Sequence, residues 1–472
     1  MGLLIKGGEI VTADSRYTSD IYIEDENITS IGRELYAPFG TEVIDATGKL
    51  VFPGFIDPHV HIHLPFMATF AKDTHATASQ AALIGGTTTF IEMVCPSRHE
   101  DALAGYNDWK QRAEGNSACD YSFHMAVTRF DAETEAQLRE IVADGTASFK
   151  VFLAYKNFFG VTDDELFHTL KLAAELGVIT TAHCENAELV AQLQQQLLAA
   201  GKTGPEWHEP SRPEAVEAEG TARFATFLEQ TGAAGYVVHL SCAPALHAAV
   251  QAKLRGVRIF VESVLPHFML DKSYAERTGV EGMKHVMSPP LRAKRNLPIL
   301  WSALEAGLID TVGTDHCPFD TEQKLLGAAD FTQIPNGIPG IEDRVNLMHT
   351  YGVKRGVLDI HRFVEALSTK PAKLFGLFPR KGAIAVGSDA DLVIYDPDYR
   401  GSITAAAQHT NNDYNGFEGF EIEGRPATVT VRGKVQVRDG VFVGEPGCGR
   451  MIRRTPSYGV ARSGSARSGA KA

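Results

Sequence analysis

Apolar positions along this chain follow two rhythms. At both ends, short runs alternate apolar and polar residues: Leu3 to Thr12, Ile21 to Glu24, Ile28 to Ile31 and Glu42 to Asp45 at the start, then Ala390 to Asp396, Ala427 to Val431, Lys434 to Arg438 and Val441 to Val443 towards the end. Alternation puts every second side chain on one face, which is the pattern of a half-buried β-strand. Gly, Asp and Asn separate the runs, and Arg432-Gly433 and Asp439-Gly440 read as tight turns. Because chain ends commonly lie close together, the two β-rich ends predict one small β-sandwich domain built from residues 1–51 and 379–458.

Residues 52–378 behave differently. Eight short, β-branched apolar runs recur at Leu50 to Asp57, Thr88 to Val94, Tyr121 to Val127, Ser148 to Leu153, Val178 to His183, Tyr236 to Leu240, Arg258 to Glu262 and Thr311 to Asp315. Between most of them lie Ala-, Leu- and Glu-rich stretches with helical spacing, such as Glu133 to Val142, Asp164 to Leu176, Glu214 to Gln230 and Pro244 to Leu254. Eight strands, each followed by a helix, are the count of a (β/α)8 TIM barrel. The expected fold class is therefore α/β, a barrel with a smaller β-sandwich domain. The last stretch, Gly459 to Ala472, is Ser, Gly, Ala, Arg and Lys with almost nothing apolar, and is expected to be disordered.

Composition narrows the partners. The chain has 472 residues, 44% of them apolar and 22% charged, with a formal charge of −13. That is ample material for a large core, and the acidic balance argues against nucleic acid or an anionic membrane as partner. No segment approaches the roughly 20 apolar residues of a membrane span. The opening Met1-Gly2-Leu3-Leu4-Ile5-Lys6 lacks the charged flank and long apolar run of a signal peptide, so a cytoplasmic enzyme is expected. The six cysteines are scattered and form no Cys-x-x-Cys pair, which points to reduced, mostly buried thiols.

Active sites of such barrels lie at the carboxyl ends of the strands. Run one ends at His59 and His61, run four contains Lys150, run five ends at His183, run six carries His239, and run eight ends at Asp315. In an extended strand His59 and His61 share a face and can hold one ion between them. Four neutral nitrogens and a carboxylate suit zinc or a similar divalent ion. Lys150 is the awkward member, since an ammonium buried beside cations is disfavoured. It is either a snorkelling or salt-bridged lysine, or one carbamylated by carbon dioxide, which turns the cation into a carboxylate able to bridge two ions.

Further motifs carry a resemblance over nearly the whole chain, to about Tyr458. They are Asp57-Pro58-His59-Val60-His61, Gly85-Gly86-Thr87-Thr88-Thr89, Ser148-Phe149-Lys150-Val151-Phe152, Ala182-His183-Cys184-Glu185-Asn186, Val238-His239-Leu240-Ser241-Cys242, Ser288-Pro289-Pro290-Leu291-Arg292, Thr314-Asp315-His316-Cys317 and Pro335-Asn336-Gly337. In these the chain resembles the cyclic-amide branch of the metal-dependent amidohydrolases, the hydantoinase and dihydropyrimidinase family.

The resemblance implies that His59, His61 and Asp315 hold one zinc, that His183 and His239 hold a second, and that carbamylated Lys150 bridges both, with manganese or cobalt able to replace zinc. It further implies hydrolysis of a ring C(=O)–N bond in a small cyclic amide. Asp315 would carry the proton, Tyr155 would hydrogen-bond the developing oxyanion, and the backbone at Ser288 and Asn336 would grip the ring amide. Leu64, Phe66, Phe152 and Phe159 would form an apolar gate for the exocyclic group. A homotetramer is the family expectation.

Near alternatives are an allantoinase- or imidase-like activity, and a non-catalytic scaffold like the collapsin-response-mediator group. That group has lost metal ligands, whereas all six positions are intact here. Enzymes similar to dihydroorotase place an arginine two residues after His-x-His to meet a substrate carboxylate; here that place is His63, so an uncharged ring fits better. His63, His316, His75, His99, His208 and His267 match no ligand position and are expected as surface or supporting groups, and Cys317 has no paired base that would make it a nucleophile.

Overall fold

Gly54 is the point at which the chain passes from one sheet to the other. The apolar run expected as a single strand from Leu50 to Asp57 is divided there into Leu50–Pro53 and Phe55–Val60. A Cβ at Gly54 would collide with Thr88 Oγ1 and come within 2.9 Å of Asp391 Cβ, so only glycine permits the close approach. The Gly54 amide donates to Asp391 O at 2.8 Å, and the Ser368 hydroxyl donates to Gly54 O at 2.7 Å, which fixes the crossing.

The computed structural model describes residues 2–156 and 158–458. The Gly459 to Ala472 stretch lies outside the described residues. Leu50–Pro53 belongs to a nine-stranded, mostly antiparallel sheet that both chain ends build. It pairs in parallel with Leu3–Val11 on one side and antiparallel with Leu392–Ser402 on the other. Arg16–Glu24 and Asn27–Gly32 extend the amino-terminal flank, and Glu421–Val431, Lys434–Arg438 and Val441–Phe442 the other. The small domain expected from the two ends is thus knitted into one hydrogen-bonded sheet. It has its own apolar cluster, which includes Ile5, Ile10, Ile21, Val51, Leu392 and Ile394.

Phe55–Val60 opens the barrel. Seven parallel strands follow in chain order: Thr87–Val94, Asp120–Ala126, Ser148–Phe152, Ile179–His183, Ala234–Val237, Ile259–Val264 and Thr311–Gly313. Nearly every residue of these strands is buried, as expected for a parallel sheet covered on both faces. The four helices anticipated from spacing occur at Ala132–Ala143, Asp163–Leu176, Glu214–Thr231 and Ala243–Leu254. Asp163–Leu176 starts with a capping box of Thr162 and Glu165, which satisfies amides otherwise left bare at the helix start. The barrel closes beyond its last strand: Asp315 N–H donates to His59 O at 3.0 Å, and His61 N–H to His316 O at 2.8 Å. Among the described residues no helix is long and apolar enough to cross a membrane.

A buried ionic clasp joins barrel and sheet. Lys381 Nζ lies 2.6 Å from Asp120 at the start of the third barrel strand, 2.7 Å from Asp391 and 3.0 Å from Asp389. Arg432 of the small sheet pairs with the same Asp120. A lone buried ion would be severely penalised, but these charges sit in one another's field. Lys381→Met should therefore destabilise the protein by about 3–5 kcal/mol, the usual cost of leaving buried partners uncompensated. The check is the denaturant midpoint, and an unchanged midpoint would show that the clasp contributes nothing to holding barrel and sheet together.

Candidate metal centre

Closure of the barrel brings the first and eighth strand ends side by side, and with them the first three candidate ligands. His59 Nε2 lies 3.2 Å and His61 Nε2 3.1 Å from the same oxygen, Asp315 Oδ1. The potential ligand atoms of these three residues all fall within 4.8 Å of one another. His239 follows the sixth strand and His183 ends the fifth. The His239 ring centroid is 5.4 Å from that of His59 and 4.6 Å from that of His183. Lys150, in the fourth strand, is fully buried with its Nζ 4.8 Å from the centre of the Phe152 ring.

A second row of side chains sets the ring orientations. The buried carboxylate of Glu262 meets His59 Nδ1 at 2.7 Å, accepts the His239 backbone N–H at 2.9 Å and accepts the Tyr236 hydroxyl at 2.8 Å. His59 is left with Nε2 free for an ion. Glu185 meets His183 Nε2 at 2.7 Å and is itself held by Arg212 at 2.6 Å, so Nδ1 is the remaining nitrogen of His183. Asp57 accepts the Thr314 hydroxyl at 2.6 Å and its N–H at 3.2 Å, and so ties the strand carrying His59 to the segment carrying Asp315.

The donor set fits a divalent cation. Buried polar atoms without a hydrogen-bond partner are costly and rare. Yet His59 Nε2, His61 Nδ1, His239 Nδ1 and Lys150 Nζ are all of this kind, and they belong to one cluster. Burial pushes His61 down to about 4 and lowers His183 and His239 as well, which keeps the imidazoles neutral and their lone pairs available. Burial also lowers the pKa of Lys150, easing access to the free amine. For Asp315 burial acts to raise the pKa, but the neighbouring His59 and His61 prevail and hold it at about 2, so it is ionised. Nitrogen and carboxylate donors of this kind suit zinc or a similar ion.

Every candidate site residue except His59 lines a single cleft, and His59 is fully buried. Asn336 Nδ2 donates to Ser288 Oγ at 3.0 Å and to the Tyr155 hydroxyl at 3.4 Å, so the three candidate substrate contacts form one group. Burial raises the pKa of Tyr155, which keeps its O–H a donor. One wall is aromatic. Phe66 stacks on Phe159 at 6.1 Å, Phe152 on Phe159 at 5.2 Å, and Phe66 meets Tyr155 edge-on at 5.5 Å, with Leu64 lining the same cleft. Tyr155, His239 and Asp315 all have positive φ, at 58°, 42° and 52°. Such conformations cost non-glycine residues of order 1–3 kcal/mol each, and their concentration in one cleft marks it as a place where geometry is imposed.

The residues expected to stand aside do so by different means. His316 turns to Asp73, its Nε2 2.8 Å from Oδ2, and His63 packs against the Phe70 ring at 4.9 Å. His99 is exposed, but His75, His208 and His267 are buried supports, bonded to Glu92, Met287 O and Pro289 O respectively. Cys317 lines the cleft, but burial raises its thiol pKa well above the usual value, which leaves it inert. Glu262, Glu185 and Arg212 were not anticipated. A carboxylate two residues after His183 and another closing the seventh run were visible signals, whereas Arg212 sits in a loop with none.

Comparison with known proteins agrees with this arrangement. The profile of the Amidohydrolase family matches residues 50–436. The chain is 44% identical to a D-hydantoinase of Geobacillus stearothermophilus over 98% of both chains. It is 39% identical to the dihydropyrimidinase of Rattus norvegicus, covering 96% of this chain and 89% of that one. Among solved structures, the D-hydantoinase (dihydropyrimidinase) from Thermus sp. superposes with a TM-score of 0.96 at 76% identity, over 97% of this chain and all of that one. An L-hydantoinase from Arthrobacter aurescens superposes at 0.87 with 31% identity, over 96% and 99%. A match of this extent, on a barrel whose strand ends converge on histidines, a lysine and an aspartate, means that the chain belongs to the amidohydrolase family, in its hydantoinase and dihydropyrimidinase branch.

Proposed function

We propose that this hydrolase of cyclic amides carries two zinc ions and opens the ring C(=O)–N bond of 5-substituted hydantoins and dihydropyrimidines to give N-carbamoyl amino acids. The observation that carries the proposal is the unpartnered, fully buried Lys150 Nζ in the cleft that His61, His183, His239 and Asp315 also line, beside an aromatic wall. His59, His61 and Asp315 would hold one ion and His183 and His239 the other, with Lys150, as its carbamate, holding both. When bound, such a pair polarises the substrate carbonyl and makes water a nucleophile at neutral pH.

The remaining work falls to the chain. Asp315, ionised in the resting site, takes the proton of the attacking water and delivers it to the ring nitrogen as the C–N bond breaks. Its Oδ1 faces His59 and His61, so Oδ2 is the oxygen that carries the proton. Tyr155 donates its hydroxyl hydrogen to the carbonyl oxygen as negative charge builds there. Ser288 and Asn336 grip the ring amide through the backbone. Leu64, Phe66, Phe152 and Phe159 receive the exocyclic group and exclude water from it. The absence of a cation at His63 is the reason for preferring an uncharged ring to a carboxylated one. A homotetrameric, cytoplasmic enzyme completes the proposal.

Lys150→Ala should lose the metal pair and nearly all turnover together, as metal analysis and a ring-opening assay would record; full zinc content with normal turnover would remove Lys150 from the centre. Tyr155→Phe should retain both metals and lose kcat by roughly two to three orders of magnitude, the usual effect of deleting an oxyanion donor. The most direct experiment offers dihydrouracil and racemic 5-phenylhydantoin side by side to the zinc-loaded protein, with chiral separation of the N-carbamoyl products. Ring opening with one enantiomer in excess is expected. No product from a fully metallated protein would point to an allantoinase- or imidase-like ring instead.

A further inference from the structure

Lys324 ends the short helix Thr321–Lys324 and is fully buried, and no carboxylate pairs with it among the described residues. Its ammonium donates to three backbone carbonyls: Val286 O at 3.0 Å, Pro335 O at 2.7 Å and Gly337 O at 2.8 Å. An ammonium has three protons, and all three are used. The acceptors belong to two loops far apart in sequence, one leading into Ser288 and the other flanking Asn336. The same loops are joined by Gly337 N–H to Val286 O at 3.0 Å and by Asn336 Nδ2 to Ser288 Oγ at 3.0 Å. On its other side the second loop presses on Cys317, since a Cβ at Gly337 would run into Cys317 O.

A buried ammonium without a counter-charge is expensive, and burial pushes Lys324 down to about 7. An apolar side chain would fill the space at lower cost but would strip Pro335 O and Gly337 O of their donor, leaving only the two direct bonds to hold the loops together. We propose that Lys324 is a positioning residue of the substrate clamp, whose ammonium locks the Ser288 and Asn336 loops in one register so that their backbone meets the ring amide. This rests on the ring-gripping role given to those loops above. Lys324 touches no substrate itself, and its effect falls on binding of the ring.

The test compares Lys324→Met and the milder Lys324→Gln with wild type, all zinc-loaded, on whichever of dihydrouracil and 5-phenylhydantoin the wild type opens. KM should rise about tenfold or more in the Met variant and less in the Gln variant, with kcat within roughly threefold and zinc content unchanged, because ground-state grip is what is lost. A folded variant with wild-type KM would overturn the proposal, as would a fall in zinc and kcat at constant KM. Hydrogen exchange on the unmodified protein gives a second reading that needs no variant. The Gly337 amide should be protected like those of the barrel strands, and rapid exchange there would overturn the locked register. Failure of the wild type to open either ring would instead strike the proposed activity, while the exchange result would still decide whether the loops are pinned.

Discussion

The seam between the first and eighth barrel strands is the constraint on which everything else here depends. Two backbone hydrogen bonds, Asp315 to His59 and His61 to His316, close the barrel with the residues of the site themselves. Asp57 reinforces the seam from below through Thr314, and Arg344 stands 4.0 Å from that carboxylate while donating to Ile56 O and Val312 O. Closure and site assembly are therefore one event. A barrel that failed to close would not merely lose stability; it would have no cluster of His59, His61 and Asp315.

Burial then decides what the cluster can do. Imidazoles withdrawn from water stay neutral and keep lone pairs for an ion, while Asp315, against the pull of burial, stays charged beside the histidines. Orientation is delegated to a second row, since Glu262 and Glu185 each occupy one nitrogen of a ring and thereby choose the other. The positive φ angles of Tyr155, His239 and Asp315 show the same division of labour. The surrounding barrel is rigid enough to hold three strained residues in place, and the strain places their side chains over one cleft.

The small sheet serves the barrel from the opposite end. Gly54 makes the first barrel strand a direct continuation of a sheet strand, and Lys381 and Arg432 fasten Asp120, at the start of the third strand, to the same sheet. Two of the eight strands are thus anchored at their amino ends, away from the chemistry. The cleft lies at the carboxyl ends, lined by the aromatic cluster of Phe66, Phe152 and Phe159 and by two loops drawn together by Lys324.

Much of this could be read along the chain, because periodicity is a local property. Alternation marked the strands of the sheet, continuous apolar runs marked the barrel, and the placing of His59, His61, His183, His239 and Asp315 at the ends of runs followed from where strands stop. What could not be read depends on neighbours distant in sequence. The break at Gly54 arises because Thr88 and Asp391 crowd it, and Glu262 matters only because closure sets it against His59. Histidines such as His75 and His208, expected among surface or supporting groups, prove to be buried supports because partners from other strands and loops satisfy them. Lys324 carries no motif at all, and its role exists only where two loops meet. The sequence by itself determined that histidines, a lysine and an aspartate fall in or just after the strands of the barrel. Tertiary structure alone decided which nitrogen each histidine presents and which charges are compensated, because those outcomes are set by distances of a few ångströms between segments that only folding brings together.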